Sequence, residues 1–369
     1  MQIRDLKLVN FRNYSQIYLK FNRHLNIIIG NNGMGKTNLV EAIYVLALTK
    51  SFRTNVDNLL LKQNSNNTLI KASIENIVTD TYLLSISNDG KKVKINDSKI
   101  KRLSDYISKI NVILFSPNDL RIIKDTPSIR RKMLNIEISQ LNNLYLKYLQ
   151  EYNQIIKQRN SYLKVMAING NASKDYLDIL TNNLIDIGLK INNQRKAFID
   201  MINSNITSFY LKITGLDHLK IEYISDFNDL NIESLKKLYD KSLERDINFG
   251  KTHLGIHHDD INFLLKENNL KDYGSEGQQK NAIIAYKLSE VEIFKKVKKT
   301  SPILILDDLF SELDMQKIEN ILNLLDKEVQ TFITTTDVDD VLETIKSNSK
   351  IIEIYDGKIK EDTDERSRT

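Results

Sequence analysis

Cysteine is absent from the 369-residue sequence, and histidine is scarce, with only five residues. A chain without cysteine cannot form a disulfide, a thiolate zinc site or a thiol nucleophile. Five histidines also argue against a metal site built from histidine alone. The sequence therefore directs attention to chemistry carried by carboxylates, hydroxyls and lysine.

Long apolar runs are also missing. No apolar stretch approaches the roughly 18 residues that a membrane span requires. The first residues, Met1 to Asp5, lack the basic start and apolar block of a secretory signal peptide. We therefore expect a cytoplasmic protein with no membrane partner.

Neither sign of charge dominates the composition. Lys and Arg total 53 and Asp and Glu total 48, which gives a net charge of +5. This mildly basic balance allows a local nucleic-acid surface without requiring one. Basic clusters occur at 99–102, 130–132 and 295–299, and each fits either a solvated face or a contact with phosphates.

Hydrophobic patterning divides the chain into three zones. The first and last zones alternate short apolar strands with helices, whereas 121–245 is mostly helical. We predict an α/β head formed by 1–120 and 246–369, interrupted by a helical insertion over 121–245. Two helical seams flank the Gly/Asn break at 169–173 and predict an antiparallel hairpin with arms of roughly 40 Å. A short projecting arm and a plain helical subdomain both fit this pattern.

A glycine-rich loop connects the first buried strand, Ile27 to Ile29, to a helix. Residues 30–37 read GNNGMGKT and fit G-x-x-x-x-G-K-[ST]. Glycines let consecutive N–H groups point at phosphate oxygens, and the helix N-terminus adds positive potential. Lys36 is expected to reach the β- and γ-phosphates, and the Thr37 hydroxyl to bind magnesium. The whole loop is the predicted nucleoside triphosphate site: Gly30, Asn31, Asn32, Gly33, Met34, Gly35, Lys36 and Thr37.

A second strand supplies the acidic partner that this loop needs. Residues 303–306 are apolar, and Asp307 and Asp308 follow them. Carboxylates at the carboxyl end of such a strand lie where ligands of α/β sheets bind. We expect Asp307 to hold magnesium with Thr37, and Asp308 to polarise the attacking water.

A third segment opens a helix at residues 275–278. The pattern from Ser275 to Gln278 fits a capping box, which is one complete explanation of it. Ser275, Gly277 and a helix N-terminus also form an anion site. Since one nucleotide cannot easily contact both this segment and its own loop, the economical arrangement is two protomers that enclose two nucleotides.

Taken together, these motifs resemble the ABC-type ATPase heads of the SMC-like group, and more narrowly the RecF family. Similar segments run through most of the chain: 10–14, 51–53, 115–120, 127–131, 275–279, 307–308 and 311–314. Among them, Ser311 and Asp314 match the D-loop, and Ser275, Gly277 and Gln278 match the signature that acts in trans. The resemblance implies a P-loop ATPase head split by the helical insertion, with ATP and Mg²⁺ as cofactors.

The function that this resemblance implies is ATP-dependent DNA binding in recombinational repair. The protein would dimerise on ATP, bind gapped, single-stranded or junction DNA, hydrolyse ATP slowly and load recombinase with the RecO and RecR mediators. DNA replication and the SOS response belong to the same expectation. Arg130, Arg131 and Lys132 are the candidate DNA contacts.

Some positions depart from the family pattern. His258 stands in His257–Asp260 where the family usually has arginine, and Thr334 to Thr336 occupy the place of the histidine of transporter ATPases. An ATPase subunit of a transporter, a structural SMC-like chromosome protein and a small-molecule kinase are the alternatives. A transporter subunit requires the histidine that is missing here. An SMC-like chromosome protein requires longer helical arms, and a small-molecule kinase leaves residues 275–278 without a role.

Overall fold

The computed structural model describes residues 1–169, 172–308, 321, 323–324, 326–336 and 349–360. The chain forms two compact units, one of Met1–Asp119 with Lys287–Thr369 and the other of Leu120–Tyr286. The first division lies beside the predicted boundary at 120–121. The second falls inside a helix, later than the predicted boundary at 245–246, because a small sheet and the start of that helix associate with the helical unit.

The first unit contains an antiparallel sheet of six strands in the order β2-β1-β4-β5-β6-β7. Buried and outward-facing residues largely alternate on the longer strands, with a register shift in β1 between Ile3 and Asp5. One face of the sheet therefore contributes to the core. The strands are β1 (Gln2–Phe11), β2 (Tyr14–Lys20), β4 (Asn67–Glu75), β5 (Thr79–Ser87), β6 (Gly90–Ile95) and β7 (Ser98–Lys99).

A second, mainly parallel sheet in the same unit has the order β15-β14-β3-β13-β12-β8. Its strands β3, β13, β12 and β8 are mainly apolar and largely buried, as parallel strands usually are, whereas β14 and β15 are more exposed. The carboxyl ends of β3, β13 and β12 lie side by side and define the ligand edge. The strands are β3 (Leu25–Ile29), β8 (Val112–Phe115), β12 (Ile303–Leu306), β13 (Thr331–Thr335), β14 (Ser349–Tyr355) and β15 (Lys358–Lys360).

Two helices of this part of the chain follow β3 and β7 in sequence: α1 (Lys36–Leu48) and α2 (Leu103–Tyr106). α1 is buried on nearly all sides, and its first residue follows Gly35 directly. The Tyr106 hydroxyl donates to the carbonyl of Leu46 at 2.6 Å, which ties α2 to α1. The glycine-rich loop is thus anchored on a rigid helix.

The second unit is mostly helical and includes a three-stranded sheet in the order β11-β10-β9. α9 (Glu276–Lys298) begins in this unit, and the division between the units falls within it. The remaining elements are α3 (Arg121–Lys124), α4 (Pro127–Leu141), α5 (Asn143–Ile168), α6 (Lys174–Thr214), β9 (Leu219–Ile224), α7 (Ile232–Phe249), β10 (Asp260–Leu265), β11 (Asn268–Asn269) and α8 (Leu270–Tyr273).

α5 and α6 form the predicted hairpin. Asn142 bonds Gln194 and Arg159 bonds Thr181, so the contacts run in opposite directions along the two helices. α6 has 41 residues, which is about 62 Å at 1.5 Å per residue and longer than predicted. Both helices also contact α7, and α6 contacts β9. This packing fits the subdomain interpretation of the helical zone.

Two buried ion pairs fix the core of the second unit. The Arg159 guanidinium donates to Asp246 at 2.7 Å, and the Arg195 guanidinium donates to Asp259 at 2.5 Å. All four side chains are at most 1% exposed. Such pairs are costly to break because the remaining charge stays buried. In the described part of the chain, no helix combines the length and apolarity needed to cross a bilayer.

Candidate nucleotide-binding site

The glycine-rich loop between β3 and α1 adopts a conformation that only glycine permits at two positions. Gly30 and Gly35 have φ angles of 150° and 117°. A Cβ atom on Gly30 would lie 2.3 Å from the carbonyl oxygen of Ile354, and one on Gly35 would lie 2.6 Å from Nδ2 of Asn13. The loop is therefore packed tightly against its neighbours, which holds its backbone in place.

Lys36 bends back over this loop. Its Nζ donates to the carbonyl of Gly30 at 2.6 Å and to that of Asn31 at 3.1 Å. Burial lowers the pKa of Lys36, and the charges of Asp308 and Asp307 act in the opposite direction. The ammonium is thus held above the loop, with two carboxylates close enough to favour its charged form.

Asp307 lies at the end of β12 and contacts two hydroxyl groups. Thr37 Oγ1 donates to Asp307 Oδ1 at 3.0 Å, and Thr334 Oγ1 donates to the same oxygen at 2.8 Å. Burial raises the pKa of Asp307, and these hydrogen bonds oppose that rise. A carboxylate and a hydroxyl at this distance are hard oxygen ligands of the kind that Mg²⁺ prefers. The residues present fit a magnesium ion at this edge.

Asp308 follows in a left-handed conformation, with φ of 53°. Its backbone N–H donates to Thr334 Oγ1 at 2.8 Å. Thr334 therefore joins both aspartates to β13. In the sequence, Thr334 was noted only as the position of a missing histidine. Its contacts with both aspartates could be recognised only from the order of the strands in the sheet.

Two residues of the β1–β2 turn brace the loop and were not predicted as site residues. Asn13 Nδ2 donates to the carbonyl of Met34 at 3.0 Å, and its Oδ1 accepts from Asn38 at 2.8 Å. The Tyr14 hydroxyl donates to the carbonyl of Gly35 at 2.9 Å. Both belong to the segment 10–14 that carried the family resemblance, which is the signal that could have identified them.

A buried carboxylate supports the helix behind the loop. Glu41 of α1 is fully buried and receives a bidentate ion pair from Arg12 at 2.6 and 2.8 Å. Ser51 also donates to Glu41, and Arg53 lies 3.5 Å from it. Arg53 further donates to Asn38, which in turn bonds Asn13. The segments 10–14 and 51–53 thus meet around α1.

The segment that opens α9 forms the predicted capping box. The Ser275 N–H donates to Gln278 Oε1 at 2.9 Å, and the Gln278 N–H donates to Ser275 Oγ at 3.3 Å. Ser275 and Gly277 are exposed, and a Cβ atom on Gly277 would meet no atom within 4 Å. The described part of the chain gives no steric reason for glycine there. The predicted D-loop residues Ser311 and Asp314 lie outside the described residues.

The basic cluster 130–132 is divided by the structure. Arg130 is 4% exposed and donates to both carboxylate oxygens of Asp260, at 2.5 and 2.9 Å. Its guanidinium is engaged in this ion pair, so a contact with DNA would require the pair with Asp260 to break. Arg131 is half-buried and donates to the carbonyl of Asp259, whereas Lys132 is exposed.

His257 and His258 precede these aspartates. His257 Nδ1 lies 2.8 Å from the Tyr152 hydroxyl, and burial lowers its pKa to about 4. The His258 ring stacks at an angle on His257, with 4.2 Å between the ring centroids. The motif 257–260 therefore belongs to the ion-pair core of the second unit.

Comparisons with known proteins show the family to which the chain is similar. The model of the RecF/RecN/SMC N terminal domain matches residues 2–360. The DNA replication and repair protein RecF of Ligilactobacillus salivarius is 38% identical, covering 98% of both chains, and that of a Bacillus cereus strain is 36% identical, covering 97% of this chain and 98% of its own.

Solved structures agree with these relatives. A structure of the recombination mediator protein RecF with ATP is 30% identical, covers 97% of both chains and has a TM-score of 0.89. An Smc head bound to ScpA is 15% identical with a TM-score of 0.54, which shows the fold alone. The predicted ABC-type ATPase fold is confirmed. The chain belongs to the RecF family, within the wider RecF/RecN/SMC N-terminal domain family.

Proposed function

We propose that this chain is an ATP-dependent DNA-binding protein of recombinational repair, in which ATP controls a homodimer. The observation that carries the proposal is the assembled site at the ends of β3, β12 and β13, where Thr37 and Asp307 meet beside the loop. Full-length relatives are named DNA replication and repair protein RecF, and one is solved with ATP. A role in replication and in the SOS response follows from the same family.

In this proposal the loop residues 30–37 hold the triphosphate. The N–H groups of the loop and the start of α1 face the phosphates, and Lys36 exchanges its two carbonyl acceptors for phosphate oxygens. Thr37 and Asp307 would hold magnesium, which when bound neutralises phosphate charge. Asp308 orients the water that attacks the γ-phosphate.

Hydrolysis is proposed to be slow. Asp308 is an aspartate, one methylene shorter than the glutamate common in related heads, so its carboxylate reaches less far toward a water molecule. Its left-handed backbone and its bond to Thr334 fix the direction from which it acts. We propose a weak ATPase that DNA stimulates and that acts as a timer.

The second protomer completes the nucleotide site. Ser275 and Gly277 are exposed at the start of α9, and the open space over Gly277 leaves room for close approach of another backbone. The helix N-terminus favours an anion such as a γ-phosphate. We propose that Ser275, Gly277 and Gln278 meet the nucleotide of the partner, with Ser311 and Asp314 at the dimer contact.

DNA with gaps, single strands or junctions is the proposed target, and RecO and RecR are the proposed mediator partners. One solved relative is described as a recombination mediator in the RecFOR pathway, which supports this assignment. Arg131 and Lys132 remain proposed DNA contacts, since Lys132 is exposed. Arg130 is less suited to that role because Asp260 occupies its guanidinium.

The test is a DNA-binding titration with nucleotide as the variable. Fluorescence anisotropy of a labelled gapped duplex is measured with ATP, with ADP and without nucleotide, for the wild type and Lys36→Met. We expect tight binding only for the wild type with ATP. Equal affinity in all three nucleotide conditions, or in Lys36→Met, would contradict ATP control.

A further inference from the structure

The outward face of the six-stranded sheet carries a row of lysines that the sequence does not place together. Strand register puts Lys7 directly opposite Tyr18 on one side and Lys71 on the other. Lys71 lies opposite Leu83, Leu83 opposite Lys94, and Lys94 opposite Lys99. We call this set the lysine row: Tyr18, Lys7, Lys71, Leu83, Lys94 and Lys99.

Four of the six members of the row are exposed, and Lys7 and Leu83 are half-buried. Its neighbours along the strands, such as Leu8, Ala72 and Val93, are at most 1% exposed and form the inner face. Lys71, Lys94 and Lys99 are exposed, and Tyr18 is 56% exposed. Because side chains alternate across a sheet, every member of the row projects to the same side.

The lysine row lowers the stability of the sheet. Lys7 lies opposite Lys71, and Lys94 lies opposite Lys99, and like charges directly opposite on a sheet destabilise it. Among the described residues, no carboxylate lies within ion-pair distance of any of these four ammonium groups. A structural role therefore does not account for the row.

The two rows of residues that flank the lysine row differ in charge. One holds Gln16, Val9, Leu69, Ser85 and Lys92, which adds a fifth lysine and no acid. The other holds Lys20, Asp5, Ser73 and Thr81, in which Asp5 is opposite Lys20. Positive charge thus extends along the row and toward Lys92, and weakens on the side of Asp5.

We propose that the lysine row is a docking surface for the phosphate backbone of duplex DNA. This inference rests on the proposed function and adds to it the surface that meets DNA. Neighbouring strands are about 4.8 Å apart, so Lys7 and Lys99 are about 19 Å apart across four intervals. That length corresponds to about six base pairs at about 3.4 Å per step, which gives each lysine its own phosphate.

The composition of the row favours duplex DNA over other partners. Protein interfaces have an apolar core, whereas Leu83 is the row's one aliphatic side chain. Surfaces for single strands present several aromatic rings for stacking, and the row has only Tyr18, at its end. A polar and positively charged surface is typical of contacts with a duplex backbone.

The test compares two charge-matched triple variants of the full chain. One is Lys7→Gln/Lys71→Gln/Lys94→Gln, and the control is Lys236→Gln/Lys237→Gln/Lys241→Gln, at exposed positions of α7. Binding of a labelled 30-base-pair duplex is measured with ATP over a series of NaCl concentrations. A third variant, Lys7→Arg/Lys71→Arg/Lys94→Arg, keeps the charge.

We expect the row variant to bind at least about tenfold more weakly at moderate salt, with a log–log salt slope shallower by about 2.7, or about 0.9 per lost phosphate contact. The control and the arginine variant should keep the slope of the wild type. The row variant should also melt at or above the temperature of the wild type, because the substitutions remove both lysine–lysine oppositions. This readout excludes misfolding as the cause.

Other outcomes overturn the inference in distinguishable ways. A row variant with the affinity and slope of the wild type shows that DNA docks elsewhere, and the proposed function stands. Unchanged DNA binding combined with lost binding of polyglutamate assigns the row to an acidic protein. A wild type that binds no duplex with ATP removes both the row's role and the proposed function.

Discussion

The side-chain hydroxyl of Thr37 donates a 3.0 Å hydrogen bond to Asp307 Oδ1 across 270 positions of the sequence. The contact joins the start of α1 to the end of β12. It requires β3 and β12 to lie in one sheet with β13 between them, as observed. The two ends of the chain therefore build one site.

The brace on the glycine-rich loop should set nucleotide affinity. Asn13→Ala removes the bonds to Met34 and from Asn38, which together are worth about 1–2 kcal/mol. We expect ATP to bind about 5- to 30-fold more weakly, as measured by isothermal titration calorimetry. Asn58→Ala, at an exposed asparagine of the same unit, is the control. Equal ATP affinity in Asn13→Ala and the control would contradict the brace.

The two aspartates should have separable roles. Asp307→Asn keeps the shape of the side chain but removes the charge, so magnesium should no longer strengthen ATP binding. Asp308→Asn should bind ATP with magnesium normally and hydrolyse it about a hundredfold more slowly or worse in single-turnover assays. The assignment fails if Asp308→Asn loses magnesium-dependent binding while Asp307→Asn retains it.

The buried pair of Arg195 and Asp259 should be expensive to break. Arg195→Met leaves the fully buried Asp259 without its main cationic partner and should lower the free energy of unfolding by about 3–5 kcal/mol in urea titrations. Lys190→Met breaks the exposed pair with Asp186 and should leave the free energy of unfolding nearly unchanged. Similar losses in the two variants would show that burial of the charge is not decisive.

His257 should make stability depend on pH. Burial lowers its pKa to about 4, below about 6.5 in an unfolded chain. As pH falls, His257 therefore gains its proton in the unfolded chain before it does so in the folded chain. The stabilisation that neutral His257 gives to the folded state is complete above about pH 6.5 and is lost as pH falls toward 4. Between pH 7 and pH 5, the wild type should lose about 2 kcal/mol more unfolding free energy than His257→Asn. Parallel profiles of the two proteins would contradict this.

The sequence predicted the nucleotide loop because its motif and its strand–helix context are local. Asp307 was also predictable, since a carboxylate at the end of an apolar strand is a pattern within a few residues. The bonds of Thr334 and Asn13 were not predictable, because they depend on which strands become neighbours. Only the order β3-β13-β12 places Thr334 against both aspartates.

Charged residues showed the same limit. Arg130 belonged to a basic cluster in the sequence, but in the fold it is buried and pairs with Asp260, which lies 130 positions away. The lysines at 7, 71 and 94 belonged to no cluster, yet strand register aligns them on one face. The sequence shows where charged residues lie along the chain, whereas the pairing of strands and helices determines which of these residues are exposed to solvent.

The most direct test of the account is sedimentation velocity of the wild type and Ser275→Arg with ATP, with ADP and without nucleotide. We expect a wild-type dimer only with ATP, and a Ser275→Arg protein that binds ATP but remains monomeric. A wild type that hydrolyses ATP at full rate as a monomer, or a Ser275→Arg protein that dimerises with ATP, would contradict the claim that two copies share each nucleotide.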